Sequence, residues 1–102
     1  MIYFKVHKAE KGDLIAMCDE ELLGKVLTEG KMELDLKTYA EFYKGDLLSE
    51  EKAKASIVID TIYSANVVGK QSVKVMMDKG LVGEADVRMV ADVPFVQLFT
   101  MV

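Results

Sequence analysis

Ser49-Glu50-Glu51-Lys52-Ala53-Lys54-Ala55-Ser56-Ile57-Val58-Ile59-Asp60-Thr61-Ile62-Tyr63 is the stretch whose reading decides the fold of this 102-residue chain. Read as helix throughout, it places two helices between two groups of strands. Read as strand from Ser56 onward, it runs a strand through the middle. Ser49 has the chemistry of an N-cap, and Glu50 and Glu51 fall in the first turn, where the helix dipole favours negative charge. Ala55, Val58, Ile59 and Ile62 follow the i, i+3, i+4, i+7 rule of a buried helical stripe. Against this, Ile57, Val58 and Ile59 are β-branched and suit a strand from Ser56 to Tyr63. The caps and the length favour a helix over 49–63.

Toward the C-terminus, Ser64-Ala65-Asn66-Val67 then joins this helix to a second one, from about Gly69 to Lys79. Val73, Met76 and Met77 form the apolar face of the second helix, and Gly80 follows it as a C′ residue. Val87 and Met89 begin a strand, and Pro94 to Met101 reads as the last, with Pro94 near its start. Val96, Leu98, Thr100 and Val102 face one way, and Phe95, Gln97, Phe99 and Met101 the other. A terminal strand so apolar calls for cover on both faces: a helix layer on one, and homodimer contact on the other.

Toward the N-terminus, Ile2, Phe4 and Val6 alternate with Tyr3, Lys5 and His7 as in a half-buried strand. Glu10-Lys11-Gly12-Asp13 is a turn signal, and Leu14 to Cys18 completes a hairpin. A two-residue loop puts Cys18 on the face of Lys5 and His7; a one-residue change puts it with Phe4 and Val6. Asp19 can cap a helical turn through Leu23, ended by Gly24. Met32, Leu34 and Leu36, alternating with Glu33, Asp35 and Lys37, suggest a third strand. Thr38 to Leu48 is less regular, with a turn at Gly45-Asp46. The order is β-β-turn-β-α-α-β-β: an α+β single domain over 1–102. Its mixed or antiparallel sheet is built from the N-terminal hairpin, the third strand and the C-terminal strands, packed by two central helices.

Composition narrows the class. The chain is 51% hydrophobic and 29% charged, which is globular rather than disordered. Its net charge of −4 makes direct nucleic-acid binding doubtful, since phosphate neutralisation usually needs a basic surplus. A lone cysteine, Cys18, cannot form an intramolecular disulfide and suits a reducing compartment. The sequence begins on strand residues without a leader pattern, and no apolar run reaches membrane-spanning length. These features read as cytoplasmic.

Cys18 with His7 is the nearest approach to a nucleophile and base, but the acidic residues after Cys18 oppose a thiolate and no third orienting group is evident. Asp19, Glu20 and Glu21 lack the spacing of a metal loop and read as capping residues, so no metal ligand set is assigned. Gly69-Lys70-Gln71-Ser72 resembles a phosphate loop only superficially: Gln71 interrupts it, and Ser64 stands where a glycine is required. The start of the second helix, beside Asn66 and Lys70, could receive an anion, although a solvated surface is the commoner outcome. Tyr39, Phe42 and Tyr43, at i, i+3 and i+4, read as a turn packing on the core rather than a stacking platform. No cofactor motif is found.

Four segments carry a family resemblance: Cys18-Asp19-Glu20-Glu21-Leu22-Leu23-Gly24-Lys25, Phe42-Tyr43-Lys44-Gly45, Asn66-Val67-Val68-Gly69 and Val93-Pro94. Over roughly residues 2–98 the chain resembles a family of small archaeal proteins known as a domain of unknown function. In that family's pattern a histidine often follows the proline; here the position is Phe95. The resemblance implies an archaeal cytoplasmic setting and a translation-associated context, but no activity. Three functional readings follow. The first is a non-enzymatic binding module for a protein or ribonucleoprotein partner, the second a small enzyme using Cys18 and polar loop residues, the third a self-associating protein pairing its last strand with a copy. The expected site centres on Asn66, Gly69 and Lys70, meeting Cys18, Asp19, Gly24, Lys25, Tyr43 and Gly45 from the other glycine-bearing segments.

Overall fold

The computed structural model describes residues 1–99; Thr100, Met101 and Val102, which complete the two faces expected of the last strand, lie outside the described residues. The architecture is α+β. A six-stranded mixed sheet contains β1 (Ile2–Ala9), β2 (Gly12–Asp19), β5 (Asp46–Leu48), β6 (Ile62–Val68), β7 (Arg88–Val90) and β8 (Val93–Phe99), in the order β5-β1-β2-β6-β8-β7. Among the described residues only β2 and β6 run parallel; the other pairs are antiparallel. β3 (Val26–Glu29) and β4 (Met32–Asp35) form a separate two-stranded ribbon. The helices are α1 (Ala40–Tyr43), α2 (Glu50–Ser56) and α3 (Lys70–Asp78).

The deciding stretch divides in the middle. Ser49 caps α2 as its chemistry requires, its Oγ accepting from the Lys52 amide at 3.2 Å. The helix stops at Ser56, whose Oγ donates back to the Lys52 carbonyl at 2.7 Å. Ile57 is extended and buried, a 3₁₀ turn spans Ile59–Thr61, and β6 begins at Ile62. The expected stripe is therefore corrected: α2 buries Ala53, while Val58 and Ile59 are 56% and 49% exposed. The physical reason is the β-branched run, which loses side-chain freedom in a helix and fits a pleated surface. β6 has a neighbour on each side and is covered on both faces over most of its length, Asn66 being half-buried. Such a strand reads as nearly continuous apolar sequence, which a short helix imitates. Asn66 is thus a central-strand residue, not a helix junction.

The second helix stands nearly as expected. Val73 and Met76 are buried and Met77 partly so. Its end is closed by the Gly80 and Leu81 amides on the Met77 and Met76 carbonyls, at 2.9 and 3.1 Å. α2 and α3 cover one face of the sheet, over Ile2, Phe4, Ile15, Met17, Ala65, Val67 and Val96. The ribbon and α1 cover part of the other face, over Ala16, Cys18, Val68, Val90 and Phe95. The third strand, β4, is accordingly not part of the main sheet: it pairs with β3, an unexpected strand in which only Leu27 is drawn toward the core.

The hairpin loop is the two-residue one, so Cys18 lies opposite Tyr3 and His7 opposite Leu14. β8 lies between β6 and β7, so the outermost strands are β5 and β7, although β7 pairs with β8 only at Val93–Phe95. Among the described residues no helix is long and apolar enough to cross a membrane.

Candidate functional site

The ribbon and α1 do not close over the whole sheet face. Between β4, α1 and β6 they leave an open cleft of about 390 Å³. Its walls are Glu33, Asp35, Tyr39, Phe42 and Tyr43, with Asn66 on β6 and the apolar side chains of Leu34 and Leu36. The chain turns from β4 toward α1 on the Asp35 side chain, whose Oδ1 accepts from the Lys37 and Thr38 amides at 3.1 and 2.8 Å. The Thr38 amide foremost, then the Thr38 side chain, with the Lys37 amide and charge, hold the Asp35 carboxyl below its ordinary range. α1 is fastened to β1 at its carbonyl end: Lys5 Nζ donates to the Glu41 carbonyl at 2.7 Å, and His7 Nε2 to that of Phe42 at 2.8 Å. Because a carbonyl only accepts, this bond fixes the proton on Nε2. The His7 ring also stacks on Phe42 at 4.6 Å, and Phe42 meets Tyr43 edge to face at 5.0 Å.

Two polar groups in this cleft lack a protein partner. The half-buried Asn66 carboxamide makes no hydrogen bond to another described residue, nor does the hydroxyl of Tyr43, which is only 9% exposed. Among the described residues no fully buried side-chain nitrogen or oxygen is left unpartnered, so that hydroxyl is not sealed from solvent, and its side chain lines the cleft. Burial pushes its pKa up to about 12, and it stays protonated as donor and acceptor.

The other sequence-selected residues fall in three places. Cys18 is wholly buried beneath the ribbon; desolvation, with the Asp19 and Glu21 carboxylates, pushes its thiol up to about 12. His7 shares its face but stands four residues along β1 from Tyr3, about 13 Å at strand spacing, so the two are no nucleophile-base pair. Cys18 therefore has neither the thiolate nor the base that the enzyme reading needed.

Asp19, Gly69 and Lys70 meet at the start of α3. Asp19 does not cap its own turn at Glu20–Leu22. Instead its Oδ2 accepts from the Gln71 amide at 3.0 Å, and its Oδ1 from the Ser72 amide and hydroxyl at 2.8 and 2.7 Å. The anion that this helix start favours is a carboxylate of the chain itself, so Lys70, though exposed, has no free amide pair beside it. Gly69 adopts φ +111°, and any Cβ there would strike the Asp19 carboxylate. The neighbour that comes so close at Gly69 is a side chain of the first glycine-bearing segment rather than its backbone.

Gly24 and Lys25 lead into the ribbon, with the Gly24 amide on the Leu36 carbonyl and the Leu36 amide on that of Lys25, each at 2.8 Å. Gly45 lies on the opposite flank, where a Cβ would collide with the Phe4 carbonyl on β1. The glycine segments thus do not converge on one spot. Residues beside them share one buried cluster instead: Cys18 and Leu22, Tyr43, and Val68.

Sequence reasoning missed Glu33, Asp35 and Tyr39. Tyr39 was expected in the core and is 63% exposed at the cleft mouth. Its signal was the Asp35-x-Lys37-Thr38 turn, which ends β4 and swings α1 outward. A larger groove, about 550 Å³, runs between α3 and β7, but there Lys74 and Asp78 are engaged in ion pairs.

The pattern of the family described as "Protein of unknown function (DUF424)" matches residues 6–101, and the chain belongs to that family. The fold is similar to the crystal structure of an uncharacterized conserved protein from Methanopyrus kandleri, with a TM-score of 0.83 and 25% identity over 96% of this chain and 90% of the other. Among curated proteins none matches.

Proposed function

We propose that the protein is a small binding module for a protein or ribonucleoprotein partner in the archaeal cytoplasm, and that the cleft between ribbon, α1 and β6 is where it makes contact. The observation that carries this reading is the pair of polar groups without a hydrogen-bond partner among the described residues, the Asn66 carboxamide and the Tyr43 hydroxyl, on side chains that line one cleft. Polar groups left without protein partners in a concave site are what a ligand would satisfy. The unreactive Cys18 removes the main support of the enzyme alternative. Capture from cells that make the protein, with and without RNase, tests the reading. A partner that folded Asn66→Leu and Tyr39→Ala variants both lose supports it, and RNase separates a protein from a ribonucleoprotein. A partner held equally by both variants contradicts it.

Self-association is the second reading, and one observation favours it. β7 pairs only with Val93–Phe95, which leaves the outer edge of Val96–Phe99 unpaired among the described residues, with Phe99 70% exposed. A homodimer through that edge would double the solution mass at micromolar concentration, and Phe99→Lys would return it to monomer.

A further inference from the structure

The charges of the cleft specify what enters it, on the reading that it is the contact site. Glu33 and Asp35 stand two residues apart on the ribbon, and neither joins an ion pair among the described residues. No lysine, arginine or histidine lines the cleft. The Asp35 carboxylate is held in place by two backbone amides on its Oδ1 and by the Thr38 side chain, with the Lys37 charge acting on it from outside the lining. Tyr39 offers an exposed ring at the mouth, with Phe42 behind it. The Tyr43 side chain, buried but for 9% of the residue's surface, lines the same space, and its hydroxyl has no hydrogen-bond partner among the described residues. An anion would meet two carboxylates and, among the residues that line the cleft, no cation. An apolar group would leave the tyrosine hydroxyl and the Asn66 amide unsatisfied.

We propose that the cleft takes a guanidinium group, the side chain of an arginine in a segment of the partner protein. The planar group presents five donors to carboxylate and carboxamide oxygens and stacks on aromatic rings, which a compact, strongly hydrated ammonium does less well. The source is a polypeptide rather than the free amino acid. Free arginine carries an α-carboxylate, and the cleft has no cation to receive it; within a chain that group is a neutral amide.

The test is a nuclear magnetic resonance titration of the full chain with four probes: the blocked tripeptide acetyl-Gly-Arg-Gly-amide, its citrulline and lysine counterparts, and free L-arginine. The arginine peptide is expected to shift the amides of residues 33–43 and Asn66, with affinity about tenfold above the neutral citrulline peptide, as loss of a charge-assisted contact implies. The lysine peptide and free arginine are expected to bind more weakly than the arginine peptide. Asp35→Asn retains the turn-forming oxygen, so this variant folds; combined with Glu33→Gln it should abolish the preference over citrulline. Equal response to arginine and citrulline peptides overturns the proposal, as does response to a short RNA oligonucleotide at the same amides. So does an unresponsive cleft; if Asn66→Leu nonetheless loses the captured partner, the contact site stands and only the guanidinium assignment falls.

Discussion

The carboxylate of Asp19 lies over Gly69, so close that no side chain fits at position 69, and from there it holds the first amides of α3. One residue at the end of a central strand thereby fixes the start of a helix through amides 52 and 53 positions on. Asp19 is 2% exposed, and Ser72, whose hydroxyl it also accepts from, is fully buried. Asp19→Ala removes a charged cap and strands buried donors, and should lower stability by about 2–4 kcal/mol in urea unfolding. Gly69→Ala should cost about 2–4 kcal/mol through the collision and the positive φ. The double variant relieves the collision, so the two losses should fall short of additive by about 1 kcal/mol or more.

Burial makes Cys18 inert and its titration costly. Its ordinary value of 9.0 rises to about 12, and that of Tyr43 from 10.0 to about 12. Below pH 9 both groups keep their protons in folded and unfolded chain, and their contribution to stability is complete. Between pH 9 and 12 the unfolded chain releases protons that the folded chain retains, so stability falls as pH rises. Cys18→Val should flatten the first part of this decline, read from urea midpoints between pH 8.5 and 10.5. At pH 8 the native thiol should resist iodoacetamide and become alkylated only on unfolding.

Val58 and Ile59 mark where α2 has already ended. Replacing either by serine should change stability by about 0.5 kcal/mol or less, whereas Ile57→Ala, buried at the helix end, should cost about 2–4 kcal/mol. Thermal unfolding of the three variants compares them directly. The reverse ranking would restore a helix through residue 62.

The turn between β7 and β8 carries two non-glycine residues at positive φ, Ala91 at 48° and Asp92 at 64°. Ala91 is held there partly by its amide, which donates to Glu29 Oε1 of the ribbon at 2.9 Å. Ala91→Gly keeps that amide and relieves the left-handed strain, and should stabilise the protein by about 0.5–1 kcal/mol in thermal unfolding.

What the sequence discloses follows the range of the interactions involved. The hairpin, the α2 cap at Ser49 and α3 are local: alternation, a capping serine and an apolar stripe ended by glycine each sit within a few residues. The fold class follows from them. Ile57 to Val68 was not legible as coil and strand, because a strand buried on both faces has no alternation and its β-branched residues continued an apparent helical stripe. Asp19 was legible as a cap but not as the cap of α3, since 52 and 53 positions separate the donors from the acceptor. The cleft was half legible. Asn66 and Tyr43 stood out by type, whereas Glu33 and Asp35 looked like the solvent side of a main-sheet strand until β4 paired with β3 instead.

The most direct measurement of the central claim is photo-crosslinking in cells that make the protein. A photoreactive benzoylphenylalanine is placed either at Tyr39, at the mouth of the cleft, or at Met89, in the groove beside α3. The account predicts a discrete protein adduct from position 39 that disappears with Asn66→Leu, and none from position 89. An adduct formed from position 89 and not from position 39 would contradict it.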